Sequence, residues 1–132
     1  MPTADELTAT GTLRLTRAEL AASAGLDPDT LEALETFGLV HADDTGHFGE
    51  AALTVAHTAA QLAAYGLEPR HLRPFRTAAD REIGLVQQVV TPHRSASGQG
   101  GRAGAAKDPT GDVLRLCIAL HTALVRDGLQ RG

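Results

Sequence analysis

Cys117 and His121 stand four residues apart, a spacing that sets both side chains on one face of a helix. Such a pair could begin a metal site. No C-x-x-C or H-x-x-x-H pattern accompanies it, and a structural zinc ion takes four ligands. No metal is expected, and Cys117 reads as a small apolar packing residue. His41 and His47 are near enough in sequence to pair, but polar surroundings mark them as ordinary loop histidines. The one local basic cluster is Arg70, Arg73 and Arg76, with Arg81 beyond. Its plain reading is a solvated helix face paired with Glu68, Asp80 and Glu82. Its functional reading is a surface for phosphates or an acidic partner, because a guanidinium makes bidentate contacts. The run "GQGGRAG" lacks the G-K-[ST] of a phosphate-binding loop, and no nucleophile has an evident base beside it. Neither catalysis nor a cofactor is expected.

The elements that carry these residues are mostly helical. Thr16 and Glu19 form a T-x-x-E capping box that opens a helix through about Ala24. Leu20 and Ala24, with Leu13 or Leu15 before them, supply its apolar side. After Gly25, Asp27 caps a second helix, Pro28 suits its first position and Gly38 can end it, with Leu31 and Leu34 directed inward. Residues 39–50 hold a D-D-T-G turn between two short stretches that could pair as a β-hairpin. Leu53, Ala56 and Ala60 then recur at helical spacing up to Gly66. A short helix follows, which Pro74 must end or kink, and a longer one spans about 77–90 and stops near Pro92. Residues 95–111 are rich in Gly, Ser and Ala and read as a flexible loop, and a last helix covers about 112–128.

Composition narrows the classes further. A chain of 132 residues with 42% hydrophobic content can bury the core of one domain. Three Phe, one Tyr and no Trp leave that core to Ala, Leu and Val, which favours close-packed helices. A net charge of -4 argues against a surface that grips nucleic acid all round. Single Cys117 cannot form an internal disulfide, no apolar run reaches membrane-spanning length, and no signal-peptide pattern opens the chain. A cytoplasmic location is expected. Residues 1–12 are polar and small and read as a disordered linker.

The stretch "LTRAELAASAGLDPDTLEALETFGLV", residues 15–40, resembles the opening of the MerR family of bacterial transcription regulators, a first helix followed by A-G-[VL]-x-x-x-T-L-x-x-[LY]-E-x-x-G-L. The later "LAAYGLEPRHL" is similar to the family's helix ending in G-[FL]-x-x-x-x-[IL], and the likeness covers roughly residues 13–75. More narrowly, "LAAYGLEPRHLRPFRTAADREIGLVQQVV" resembles the C-terminal half of FtsR-type members of actinobacteria. The resemblance implies a winged helix-turn-helix over residues 13–76, with a short β-hairpin wing, and C-terminal dimerisation helices over 77–132. It also implies that this is a second, degenerate copy of the winged fold, with DNA read by an N-terminal domain of a parent chain. Many such regulators carry a small-molecule effector domain at the C-terminus, and a protein partner is the other occupant to be expected.

The family's DNA contacts do not carry over. Where DNA-reading members have T-L-R-Y-Y-E, this chain has Thr30-Leu31-Glu32-Ala33-Leu34-Glu35. Where their wing has G-Y-R-x-Y, this chain has Gly46-His47-Phe48-Gly49-Glu50. From Thr16 to Glu50 the one cation of Arg or Lys type is Arg17, against eight carboxylates: Glu19, Asp27, Asp29, Glu32, Glu35, Asp43, Asp44 and Glu50. Duplex affinity comes largely from cations displacing counterions at phosphates, and base edges prefer Arg, Lys, Asn or Gln. The helix in the reading position is therefore expected not to read. If the chain binds DNA by itself, Arg70, Arg73, Arg76 and Arg81 are the residues to do it. Ala79, Ile83, Val86 and Val90 follow four-three-four spacing, a seam suited to a partner helix. Leu114, Ile118 and Val125 form one apolar stripe of the last helix, and Val113, Leu116, Cys117 and Leu120 another, so a homodimer through these helices is expected.

Overall fold

The computed structural model describes residues 12–100 and 108–132, with the backbone alone for 93–100. The chain is mostly helical: α1 (Arg17–Ala24), α2 (Pro28–Thr36), α3 (Glu50–Ala63), a 3-10 turn (Pro69–Leu72), α4 (Arg73–Gly100) and α5 (Thr110–Arg131). It divides into two compact units, Met1–Thr77 and Ala78–Gly132.

In the first unit, local chemistry sets the helix ends. Thr16 accepts from the backbone N–H of Glu19, and the Glu19 carboxylate accepts from the N–H of Thr16, so two otherwise unpaired donors at the start of α1 are satisfied. Gly25 closes α1 in the left-handed conformation, at φ 75°. Asp27 then caps α2 by accepting from Thr30 N–H at 2.7 Å. The core gathers Leu20, Ala21 and Ala24 of α1, Leu31 and Leu34 of α2, Val40, Phe48, Ala52, Ala56 and Ala59 of α3, and Leu72. α1 packs on α3 largely through alanines, whose small side chains let two backbones approach closely. The buried face of α3 is Ala52, Ala56 and Ala59, turned by one residue from the Leu53, Ala56 and Ala60 that spacing predicts, with Leu53 half-buried at its edge.

Two expectations fail here. Among the described residues no two-stranded hairpin forms across 39–50. The D-D-T-G turn is present, closed by Asp43 N–H donating to His47 O at 2.7 Å and Gly46 N–H to Asp43 O at 3.0 Å. Its continuation, however, bridges upstream: Leu15 and Phe48 exchange both backbone hydrogen bonds, at 2.9 and 2.8 Å, as an isolated antiparallel bridge. Phe48 is buried almost completely, and that burial holds the chain against Leu15 instead of against residues 39–42. The second failure is at the end of the long helix. α4 does not stop near Pro92 but runs to Gly100 with Pro92 inside it. A proline there removes one donor, the partner of the Gln88 carbonyl, and the helix resumes beyond it. Thus 95–100, expected as loop, is helical; residues 101–107 of that loop and 1–11 of the N-terminal segment lie outside the described residues.

In the second unit, Val86 and Val90 of α4 are buried, and Val113 and Cys117 of α5 are half-buried. α5 has no fully buried residue.

Candidate nucleic-acid interface

The surface in question is the exposed side of α2, which α1 and the Gly25–Asp27 turn hold in place. Asp29 and Glu32 are exposed on it, and Thr36 turns its hydroxyl back to donate to Glu32 O at 3.0 Å. Arg17, the one Arg or Lys between 16 and 50, is turned to this helix. Its guanidinium is ion-paired with Glu35 and lies 5.9 Å from the centre of the Phe48 ring. The hydrogen bond to Glu35 raises the Arg17 pKa above its ordinary value, with Glu35 and Glu32 adding Coulombic attraction. The cation is held by the acidic helix itself.

Beside it, the 39–50 segment forms a turn organised by Asp43. That carboxylate accepts from the Thr45 hydroxyl at 2.6 Å, from Thr45 N–H at 2.9 Å and from His47 N–H at 3.0 Å. These bonds, with that from the Thr45 hydroxyl the largest, pull the Asp43 pKa down to about 2. Arg14, which the sequence reading passed over, reaches this turn by donating to Thr45 Oγ1 at 2.8 Å. An open cleft of about 600 Å³ lies among Arg14, His41, Asp43, Thr45 and His47. Arg14 and His47 thus approach across 33 positions of sequence, to 3.2 Å between Nη2 and Nδ1, a proximity with no periodic signal.

The basic cluster is only partly assembled. Arg70, Arg73 and Arg76 belong to the first unit, Arg81 to the second. Arg70 pairs with Glu68 at 3.3 Å, as the plain reading has it. Arg73 lies over the Phe37 ring at 5.8 Å, and the methylenes of Arg76 come near Gly38, so two of the arginines border the C-terminal end of α2. Gly38 itself has φ 77°.

Of the residues expected at a dimer interface, Val86 and Val90 are already buried, Ala79 is half-buried, and Ile83, Leu114, Ile118 and Val125 are exposed. A cleft of about 260 Å³ opens among Ile83, Val86, Gln87, Val90, Thr110 and Leu114. Of the other apolar stripe, Val113 and Cys117 are half-buried, whereas Leu116 and Leu120 stand in solvent. Among the described residues no group of three or more His, Cys, Asp or Glu could hold a metal, and no helix is long and apolar enough to cross a membrane.

Residues 13–132 match the Rv1828-like C-terminal domain family, and the chain belongs to it. It is 37% identical over 118 residues to an uncharacterized HTH-type transcriptional regulator of Mycobacterium tuberculosis, Rv1828. The same identity and length relate it to the uncharacterized HTH-type transcriptional regulator Mb1859 of Mycobacterium bovis. The match covers 89% of this chain and 47% of each relative, so the chain spans about half the length of the curated relatives it matches.

Proposed function

We propose that this chain is the C-terminal regulatory module of a longer, cytoplasmic transcription regulator of MerR type, close to the FtsR group. Its first unit is a degenerate winged helix-turn-helix, and its second unit serves homodimerisation. DNA is read by another part of the parent chain, not by α2. One observation carries the reading: the only Arg or Lys between residues 16 and 50, Arg17, is bound to Glu35 on the very helix that would need it. A duplex approaching α2 meets Asp29 and Glu32, which repel phosphates and cannot pair with guanine or adenine acceptors.

The test is a titration of duplex DNA with this chain and, in parallel, with the full-length relative. The full-length protein should bind in a salt-dependent manner, and this chain should not shift DNA at submicromolar concentration at physiological salt. Selective binding by this chain would overturn the reading. A second reading has the placement of Arg73 and Arg76 beside α2 in its favour. There the chain binds DNA by itself through Arg70, Arg73, Arg76 and Arg81, and Arg70→Ala with Arg73→Ala abolishes the shift. A third reading takes the 260 Å³ cleft of the second unit as a site for a small effector, with Gln87 and Thr91 as its polar groups.

A further inference from the structure

Two histidines of the first unit are held by hydrogen bonds that require their protons on opposite ring nitrogens. At the 3-10 turn, Glu68 donates its backbone N–H to His71 Nδ1 at 2.9 Å, and His71 N–H donates back to Glu68 O at 2.8 Å. A backbone N–H can only donate, so His71 Nδ1 offers a lone pair and the proton of the neutral ring is on Nε2. At Thr45 the requirement is reversed. Its Oγ1 lies 2.6 Å from Asp43 Oδ1, 2.8 Å from Arg14 Nη2 and 2.9 Å from His47 Nδ1. A hydroxyl has one hydrogen, and the Asp43 carboxylate, an acceptor only, takes it. Arg14 therefore donates to the Thr45 oxygen, and so does His47, whose proton is on Nδ1. The other tautomer would set two lone pairs against each other at 2.9 Å.

The two rings consequently meet acid differently. A second proton on His47 goes to Nε2 and leaves the bond to Thr45 in place, and the carboxylates of Asp43 and Glu19 oppose the added repulsion from Arg14. A second proton on His71 goes to Nδ1 itself, where it meets the N–H of Glu68, and the bond is lost. Within the turn the charged groups are Glu68 and Arg70, paired with each other at 3.3 Å. α2, which packs on the turn, carries Asp29, Glu32 and Glu35, and α4 begins with Arg73 and Arg76. An imidazolium that turns away from the Glu68 N–H competes with Arg70 for the Glu68 carboxylate. We propose that His71 is a proton-operated latch on the 3-10 turn. Neutral, it fastens Pro69–Leu72 to Glu68 and helps to seat the buried Leu72; protonated, it lets the turn go. The bond exists while the ring is neutral, so the stability it contributes is present at high pH and is lost as the pH falls from about 8 to about 5.

NMR of the 15N-labelled chain over that range reads both rings and the Glu68 amide. At the upper end His71 should carry its proton on Nε2 and His47 on Nδ1. On acidification the Glu68 amide should move upfield with the same midpoint as the His71 ring. An amide that does not follow the ring, or a neutral His71 with its proton on Nδ1, would overturn the latch; His47 with its proton on Nε2 would overturn the contrast between the rings. Melting gives a second reading. His71→Asn keeps an acceptor at the place of Nδ1 but does not titrate, and His71→Ala removes it. Relative to His71→Asn, the unsubstituted chain should lose a few degrees of Tm across the range, the scale of one helix cap. His71→Ala should start lower by a similar amount and show no such loss. An unsubstituted chain that keeps pace with His71→Asn at every pH would overturn the proposal.

Discussion

The two units of this chain treat their leucines in opposite ways. Leu20, Leu31 and Leu34 of the first unit have no exposed surface, while Leu116, Leu120 and Leu129 of the second keep well over half of theirs. Both sets lie on helices of ordinary amphipathic sequence, so the difference is not one of composition. In the first unit three short helices and a buried Phe48 converge on one another. In the second, the described residues form two long helices, and a pair of cylinders by itself cannot cover all of its apolar sides.

Substitution should break this comparison most strongly at Leu34. Leu34→Ala removes a fully buried side chain and should cost about 2–5 kcal/mol, read by chemical denaturation of the first unit. Leu116→Ala, the same change on an exposed helix side, should stay within about 0.5 kcal/mol. Equal losses at both sites would mean that the contrast is not energetic. Next in size, Asp27→Ala takes the cap from α2 and should cost about 1 kcal/mol, visible as a lower Tm of the first unit. Gly38→Ala forces a side chain into the left-handed region at φ 77° and should cost roughly 1 kcal/mol, although the space beside Arg76 would admit a methyl group.

The smallest effect is one of pH. Hydrogen bonds hold the carboxyls of Asp43, Asp27 and Glu19 below their ordinary values. Each therefore contributes stability that is fully present above the unfolded pKa, 3.8 for Asp43, and is lost as pH falls through the folded one, about 2 for Asp43. All three lie in the first unit. Melting followed from pH 5 to pH 2 should thus lower that unit's Tm progressively, and Asp43→Asn should flatten the lower part of the curve.

Much of the first unit could be read directly from its sequence because its signals are local. Thr16 and Glu19 cap each other within three residues, and Asp27, Pro28 and Gly25 act on their immediate neighbours. What could not be read is what long-range packing decides. Phe48 finds its partner at Leu15, and no pattern within 39–50 indicates that. The helix through Pro92 is a case where one lost hydrogen bond did not outweigh its neighbours. At the candidate site, the acidic character of α2 was legible as composition, but the capture of Arg17 by Glu35, eighteen positions away, was not. In the basic cluster the pairing of Arg70 with Glu68 could be read from their closeness in sequence, whereas the approach of Arg73 to Phe37 could not.

The bridge between Leu15 and Phe48 also bears on how the first unit assembles. It joins the two ends of the segment that contains α1 and α2, so that segment is a closed loop fastened by two hydrogen bonds. The entropy of closing such a loop rises only slowly with its length and is spent in a single event. Once Phe48 has docked, the remaining contacts of α1 and α2 are made within a ring already drawn tight, and α3 follows immediately after the clasp in the chain. The turn at Asp43 brings Phe48 to this clasp, and the packing of α3 on α1 is a second closure made outside it.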